Sequence, residues 1–148
     1  MFLRFRVVAT PVPKGSARAF IAGGRAIVTS DARNLKGWEY LIRSQAARVV
    51  LVTTAEPIRI AVDFYLPRPK SHPKRREIPH TKKPDLDKLA RAVLDALTGV
   101  VYDDDAQVVA LRCTKRHATL GEQPGCHITI TAQAWPPSPT RGVVEEIT

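Results

Sequence analysis

The sequence predicts an α+β domain: a mixed β-sheet of about four to six strands carrying two main helices. Apolar residues recur at helical spacing in two segments and alternate with polar residues in several others. Size agrees, since 148 residues with 44% apolar side chains suit one domain that buries about 70% of its unfolded surface. No apolar run approaches the ~20 residues of a membrane span. The start, interrupted by Arg4 and Arg6, lacks a signal peptide's apolar stretch. A cytoplasmic protein is therefore expected. Cys113 and Cys126, with no CxxC pair, exclude a disulfide scaffold and a cysteine-based zinc module.

Leu3, Phe5 and Val7 alternate with Arg4 and Arg6, so residues 2–9 read as a half-exposed strand. Prolines and a glycine make 10–16 a loop. Gly23-Gly24 between apolar flanks suits a hairpin within 20–28. Thr29, Ser30 or Asp31 can cap a helix over 32–51, where Leu35, Trp38, Leu41, Ile42, Ala46 and Val49 share a face. Strict alternation of Ile58, Ile60, Val62, Phe64 and Leu66 gives a strand over 57–66. Five prolines and almost no apolar content make 67–84 an exposed loop, of a length usually kept for function. Leu86, Leu89, Ala90, Val93, Leu94 and Leu97 mark the second helix, with Gly99 placed as its C′ glycine. Two further strands are expected over 107–115 and 126–133. From Trp135 onward three prolines break any period. The expected organisation is one domain over 1–134 and a flexible tail over 135–148.

Lys and Arg total 23 against 14 Asp and Glu, a net charge of +9 that points to a polyanionic partner. Its placement is uneven. Residues 68–83 carry seven Lys or Arg and one Glu, and directly after them six of the fourteen acids, all aspartates, fall between Asp85 and Asp105.

Asp85 and Asp87 open the second helix. Capping and the helix dipole account for both by themselves. The helix from Asp85 to Thr98 is about 20 Å long, and the seven steps from Thr98 to Asp105 reach about 23 Å if extended. A reversal at Gly99 is therefore expected to bring Asp103, Asp104 and Asp105 back beside Asp85 and Asp87. Two carboxylates about 4 Å apart repel by about 4 kcal/mol at an effective dielectric of 20, so such a cluster calls for a cation. Oxygen ligands suit Mg²⁺ or Mn²⁺ rather than Zn²⁺. With a basic loop alongside to bind phosphates, the chemistry is metal-assisted phosphodiester hydrolysis. Arg91 and Asp95 continue the Asp87 stripe, either as a surface ion-pair ladder or with Arg91 facing the scissile phosphate.

Lys83-Pro84-Asp85-Leu86-Asp87-Lys88-Leu89, then Asp95-Ala96-Leu97, then Tyr102-Asp103-Asp104-Asp105-Ala106-Gln107-Val108-Val109 resembles the signature of the RusA-type Holliday junction resolvases. The resemblance implies a RusA-like fold and a homodimeric, Mg²⁺-dependent endodeoxyribonuclease. Such enzymes nick two strands of a four-way junction and are often carried by phages and prophages. It assigns catalysis and metal binding to Asp85, Asp87 and Asp105, with Asp104 assisting. The family's active-site lysine falls at Arg91, which keeps the charge but not the proton-transfer capacity. Lys88 stands where the family commonly has asparagine.

The DNA backbone is then expected to meet Lys70, Lys74, Arg75, Arg76, Lys82, Lys83 and Lys88, with Lys14 and Arg18 as a second patch. Scattered His72, His80, His117 and His127 read as surface or phosphate-contacting side chains rather than a metal site. Cys113 reads as a buried free thiol on a strand with Val109 and Leu111. Aromatic content of 6% leaves few rings for base stacking and argues against a single-strand binder. The rival to an endonuclease is a non-catalytic branched- or duplex-DNA-binding protein whose aspartates only cap and pair.

Overall fold

The computed structural model describes residues 1–15, 19–28 and 31–132. Arg18, the candidate caps Thr29 and Ser30, and the 135–148 tail lie outside the described residues. The chain runs through β1 (Phe2–Val8), β2 (Ala19–Ala22), β3 (Arg25–Val28), α1 (Asp31–Ala47), β4 (Ile58–Leu66) and α2 (Leu86–Leu97). A 3-10 turn at Asp105–Gln107 then leads into β5 (Val108–His117), and β6 (Gly125–Ala132) follows.

Four strands form one mixed sheet in the order β1-β6-β4-β5, and β2 and β3 form a separate hairpin. β6 is antiparallel to both β1 and β4, whereas β4 and β5 are parallel. Parallel neighbours need a crossover, and α2 supplies it. The β2–β3 turn takes Gly23 and Gly24 at φ +58° and +77°, left-handed values that glycine adopts without strain.

Both helices cover one face of the sheet. Trp38, Ile42 and Ala46 of α1 and Leu89, Val93 and Leu97 of α2 share a single core with Ile60, Phe64, Ile128 and Ile130. The even residues of β4 face this core, as their alternation requires. Close approach of β6 to β1 depends on Gly125, where a Cβ would stand 2.1 Å from the Val7 carbonyl oxygen.

Two expectations need correction. The first helix ends at Ala47, not near 51. The amides of Val49 and Val50 fold back onto the Ala46 carbonyl, and the Val49-Val50-Leu51-Val52 run is rich in β-branched residues that resist helix. Leu51 and Val52 end up exposed. Val109 and Leu111 do not share a buried face with Cys113: they are 53% and 45% exposed, because β5 is an edge strand. Among the described residues no helix is long and apolar enough to cross a membrane.

Candidate active site

Asp85 is the N-cap of α2, with extended backbone at φ −70° and ψ 138°, yet its side chain makes no capping hydrogen bond. Lys88 Nζ lies 3.4 Å from its Oδ2, and half of each side chain is exposed. A carboxylate at an N-cap ordinarily turns back to the free amides of the first turn; this one instead turns outward to Lys88. Asp87 follows in the first turn and is exposed. The helix dipole favours both anions there.

Lys115, on β5, holds this approach in place. Its ammonium donates to the carbonyls of Lys82 at 2.8 Å and Pro84 at 2.9 Å, so the segment entering α2 is clamped to the sheet. The Lys83–Pro84 peptide is cis. The Lys14 amide donates to the Lys88 carbonyl from the other side. Nothing in the sequence pairs Lys115 with carbonyls some thirty residues away (|i−j| 33 and 31), so this positioning residue was not legible there.

The second acidic group follows Gly99, at φ +82°, where the chain reverses as the C′ glycine predicts. Tyr102 is fully buried. Its hydroxyl donates to the Leu94 carbonyl at 2.8 Å, which also accepts from Thr98 Oγ1 at 3.0 Å. Burial pushes the Tyr102 phenol up, with Asp105 and Asp95 adding to the shift. Beyond it, Gln107 organises the aspartates. Its Oε1 accepts the amides of Asp103 and Asp104, each at 2.9 Å, and its Nε2 donates to the carbonyls of Thr54 and Glu56. Asp104 Oδ1 accepts the Ala106 amide at 2.9 Å, closing a capping box, and Asp103 accepts from Thr53 Oγ1 at 2.6 Å. Two of the three aspartates are thereby engaged in holding the turn. Among the described residues the Asp105 carboxylate takes no hydrogen bond.

The two acidic groups do not converge within one chain. Lys115 fixes Asp85 beside the far half of β5, whereas Gln107 ties Asp105 to the residues leading into β4. The intervening α2, twelve residues, is about 18 Å long. Tyr102 does turn back along α2, but its hydroxyl reaches only Leu94. Parallel pairing of β5 with β4 is the reason: the chain must enter β5 at the end where the crossover helix finishes. Among the described residues no three His, Cys, Asp or Glu side chains stand at metal-ligand spacing.

Along the α2 stripe, Arg91 Nε lies 3.6 Å from Asp95 Oδ1, and Lys14 Nζ bridges Asp95 at 3.1 Å and Glu39 at 3.2 Å. The Asp95 hydrogen bond, with Glu39, raises the Lys14 pKa. Lys14, expected at the DNA, thus has its charge matched locally and ties α1 to α2. Arg91 remains mostly exposed.

Lys70, Lys74, Arg75, Arg76, Lys82, Lys83 and Lys88 are all exposed. Arg68 instead turns inward and donates to the carbonyls of Pro73 and Arg76, shaping the loop. The loop also packs His72 and His80 against His117 of β5, with ring centroids 4.6 and 4.3 Å apart. These rings border a cavity of about 620 Å³ between the loop and residues 10–13. Sequence spacing scattered these histidines; only the fold assembles them.

Burial lowers the pKa of His80 and His117, and neighbouring Lys115 and the other rings lower it further. The unfolded chain therefore takes up these protons first, near the ordinary 6.5. Stability is present above that value and is lost as pH falls through the lower folded values. The urea midpoint is expected to drop as pH is lowered from 7 to 5, and His80→Asn is expected to flatten that dependence. Chemical denaturation across this range checks both.

Arg116 forms a two-pronged pair with Glu122 at 2.7 and 3.0 Å, which holds the Glu122 carboxyl down to about 2. The same guanidinium lies over the Tyr65 ring, 4.0 Å from its centroid, and Tyr65 meets His127. Cys113 and Cys126 are free thiols, half-buried and buried.

The family model of the endodeoxyribonuclease RusA matches residues 9–131, a span that includes both acidic groups and the basic loop. The uncharacterized protein YqaN of Bacillus subtilis (strain 168) is 31% identical over 139 residues, covering 86% of this chain and 94% of that protein.

Proposed function

Because this chain belongs to the RusA endodeoxyribonuclease family, we propose that it is a divalent-metal-dependent, structure-selective endodeoxyribonuclease. Its reaction would be the resolution of Holliday junctions by paired phosphodiester hydrolysis, in DNA recombination and repair, with residues 1–134 as the nuclease domain. The observation that carries this reading is Asp85, an N-cap aspartate whose carboxylate does no capping.

Asp85 and Asp87 would hold the cation at the N-terminus of α2, where their oxygen donors fit Mg²⁺ or Mn²⁺; Asp105, assisted by Asp104, stands at the other end of α2 within one chain and would join them only from the second copy of a homodimer. When bound, such an ion supplies an activated water and charge stabilisation at the phosphate. The chain's own groups do the rest. Lys115 fixes the backbone that presents Asp85. Arg91, exposed on the same helix face, stabilises negative charge on the scissile phosphate and does not transfer a proton. The exposed lysines and arginines of 70–83, with Lys88, grip the DNA backbone. A homodimer provides two symmetric cuts for a two-fold junction.

Incubation of a synthetic four-way junction with purified protein is expected to give paired nicks in Mg²⁺ and none in EDTA. Binding without cleavage under Mg²⁺ and Mn²⁺ would instead identify a non-catalytic junction-binding protein. Replacing Arg75 and Arg76 with alanine is expected to weaken binding to every junction sequence and to reduce the log–log salt slope by about 2. Binding titrations between low and moderate salt measure that slope; an unchanged slope removes the loop from the interface.

A further inference from the structure

Resting on the nuclease reading above, we infer that the side of the sheet turned away from both helices is a second DNA surface. It holds the phosphate backbone of a duplex segment apart from the aspartates at α2. Trp38, Ile42, Leu89 and Val93 close the other side. Successive strand residues point to opposite sides, so where Ile58, Ile60, Val62 and Phe64 of β4 enter the core, Arg59, Ala61 and Asp63 turn outward. The register continues this outward side across the sheet. Arg4, Thr129, Ala61 and Arg112 stand in one row, one from each strand, and Arg59 lies between Thr131 and Ala110 in the next.

The outward side is strongly basic. Arg4, Arg6, Arg59, Arg112 and Arg116 are all exposed on it. Arg116 is paired with Glu122, and Arg6 donates to the Gln123 carbonyl. Among the described residues Arg4, Arg59 and Arg112 take part in no ion pair. Asp63 is the one acid at these strand positions, and it accepts from Thr114 Oγ1. The excess positive charge reaches His127, which stands beside Asp63: burial lowers its pKa first, then Arg6 and Arg4 lower it further.

A hollow of about 250 Å³ on this side is lined by Arg59, Arg112, Ala61, Ala110, Thr129 and Thr131. The alanines leave room, while two guanidiniums and two hydroxyls supply the donors that a phosphodiester accepts. Arg59 and Arg112 arise on neighbouring strands, two residues apart in register, which is about 8 Å, so both forks reach one phosphate. Arg4 lies three strand spacings from Arg112, about 14 Å. Cations spread over that breadth suit a repeating polyanion rather than one small anion. No lysine shares these strand positions, and arginine's planar fork is the side chain that holds phosphate bidentately. The middle of the surface, with Thr129, Ala61 and Asp63, offers no aromatic or large aliphatic anchor of the kind that holds a protein partner.

Replacing Arg4, Arg59 and Arg112 together by glutamine tests the surface. Junction binding is titrated across salt in EDTA, so that cleavage plays no part. The triple variant is expected to reduce the log–log salt slope by about 3, and Arg59→Gln alone by about 1. A thermal melt checks folding, and the single variant decides where the triple one melts lower. An unchanged slope in folded protein overturns the second surface. Phenylglyoxal, which modifies accessible guanidines, maps it directly. Saturating duplex DNA is expected to protect Arg59 and Arg112 from the reagent, read by peptide mass spectrometry. Equal modification with and without DNA overturns the proposal. Wild-type protein that shows this protection yet never nicks a junction in Mg²⁺ or Mn²⁺ upholds the surface and refutes the nuclease reading alone.

Discussion

Asp87→Asn is expected to lower junction cleavage by about 10³-fold or more, the equivalent of about 4 kcal/mol of transition-state stabilisation, while junction binding persists or tightens. Asp87 is exposed in the first turn of α2, so its amide isostere is expected to leave the fold intact. On the proposed reading it removes one ligand charge and one source of repulsion toward the phosphodiester. Single-turnover cleavage of a labelled junction, beside a gel-shift titration and a thermal melt, separates the effects. Equal losses of melting temperature, binding and cleavage would make Asp87 a structural residue.

The largest expected stability effect belongs to Tyr102. Its ring is fully buried, and truncation to alanine is expected to cost about 3–5 kcal/mol through lost burial and the cavity left behind. Tyr102→Phe keeps the ring and removes only the hydroxyl donor. The Leu94 carbonyl still accepts from Thr98 Oγ1, so about 1 kcal/mol is the expected loss. Urea unfolding of the two variants gives the contrast. The alanine variant is also expected to lose cleavage beyond its loss of folded population, because Tyr102 anchors the turn that presents Asp103, Asp104 and Asp105. Cleavage rates corrected for fraction folded check this, and an unaltered corrected rate would detach the turn from the site.

Much of the architecture was legible because local rules and tertiary packing agree. The α2 stripe of Leu89, Val93 and Leu97 faces the core, and Gly99 takes the left-handed φ that ends the helix. Residues 58–66 alternate and do form the central β4. Agreement stops where a neighbouring strand decides. Val109 and Leu111 carry an apolar pattern, yet their exposure depends on sheet order. The 49–52 run continues helical spacing, but its β-branched side chains leave the helix at Ala47.

The candidate site divides in the same way. Asp85 and Asp87 are close in sequence, so their placement at the α2 N-terminus follows from local capping and periodicity. The D-D-x-Q segment likewise explains its own glutamine, which ties the turn through short-range hydrogen bonds. Lys115 and the His72–His80–His117 group could not be read, since each depends on contacts across tens of residues.

The sequence by itself determined that a basic loop and two sets of aspartates flank one helix, because composition and helical period are local properties of the chain. Only the tertiary structure decided that those sets stand at opposite ends of that helix. Pairing β5 parallel to β4 forces the crossover to finish where β5 begins, and chain direction in a sheet is a long-range choice that no residue spacing encodes.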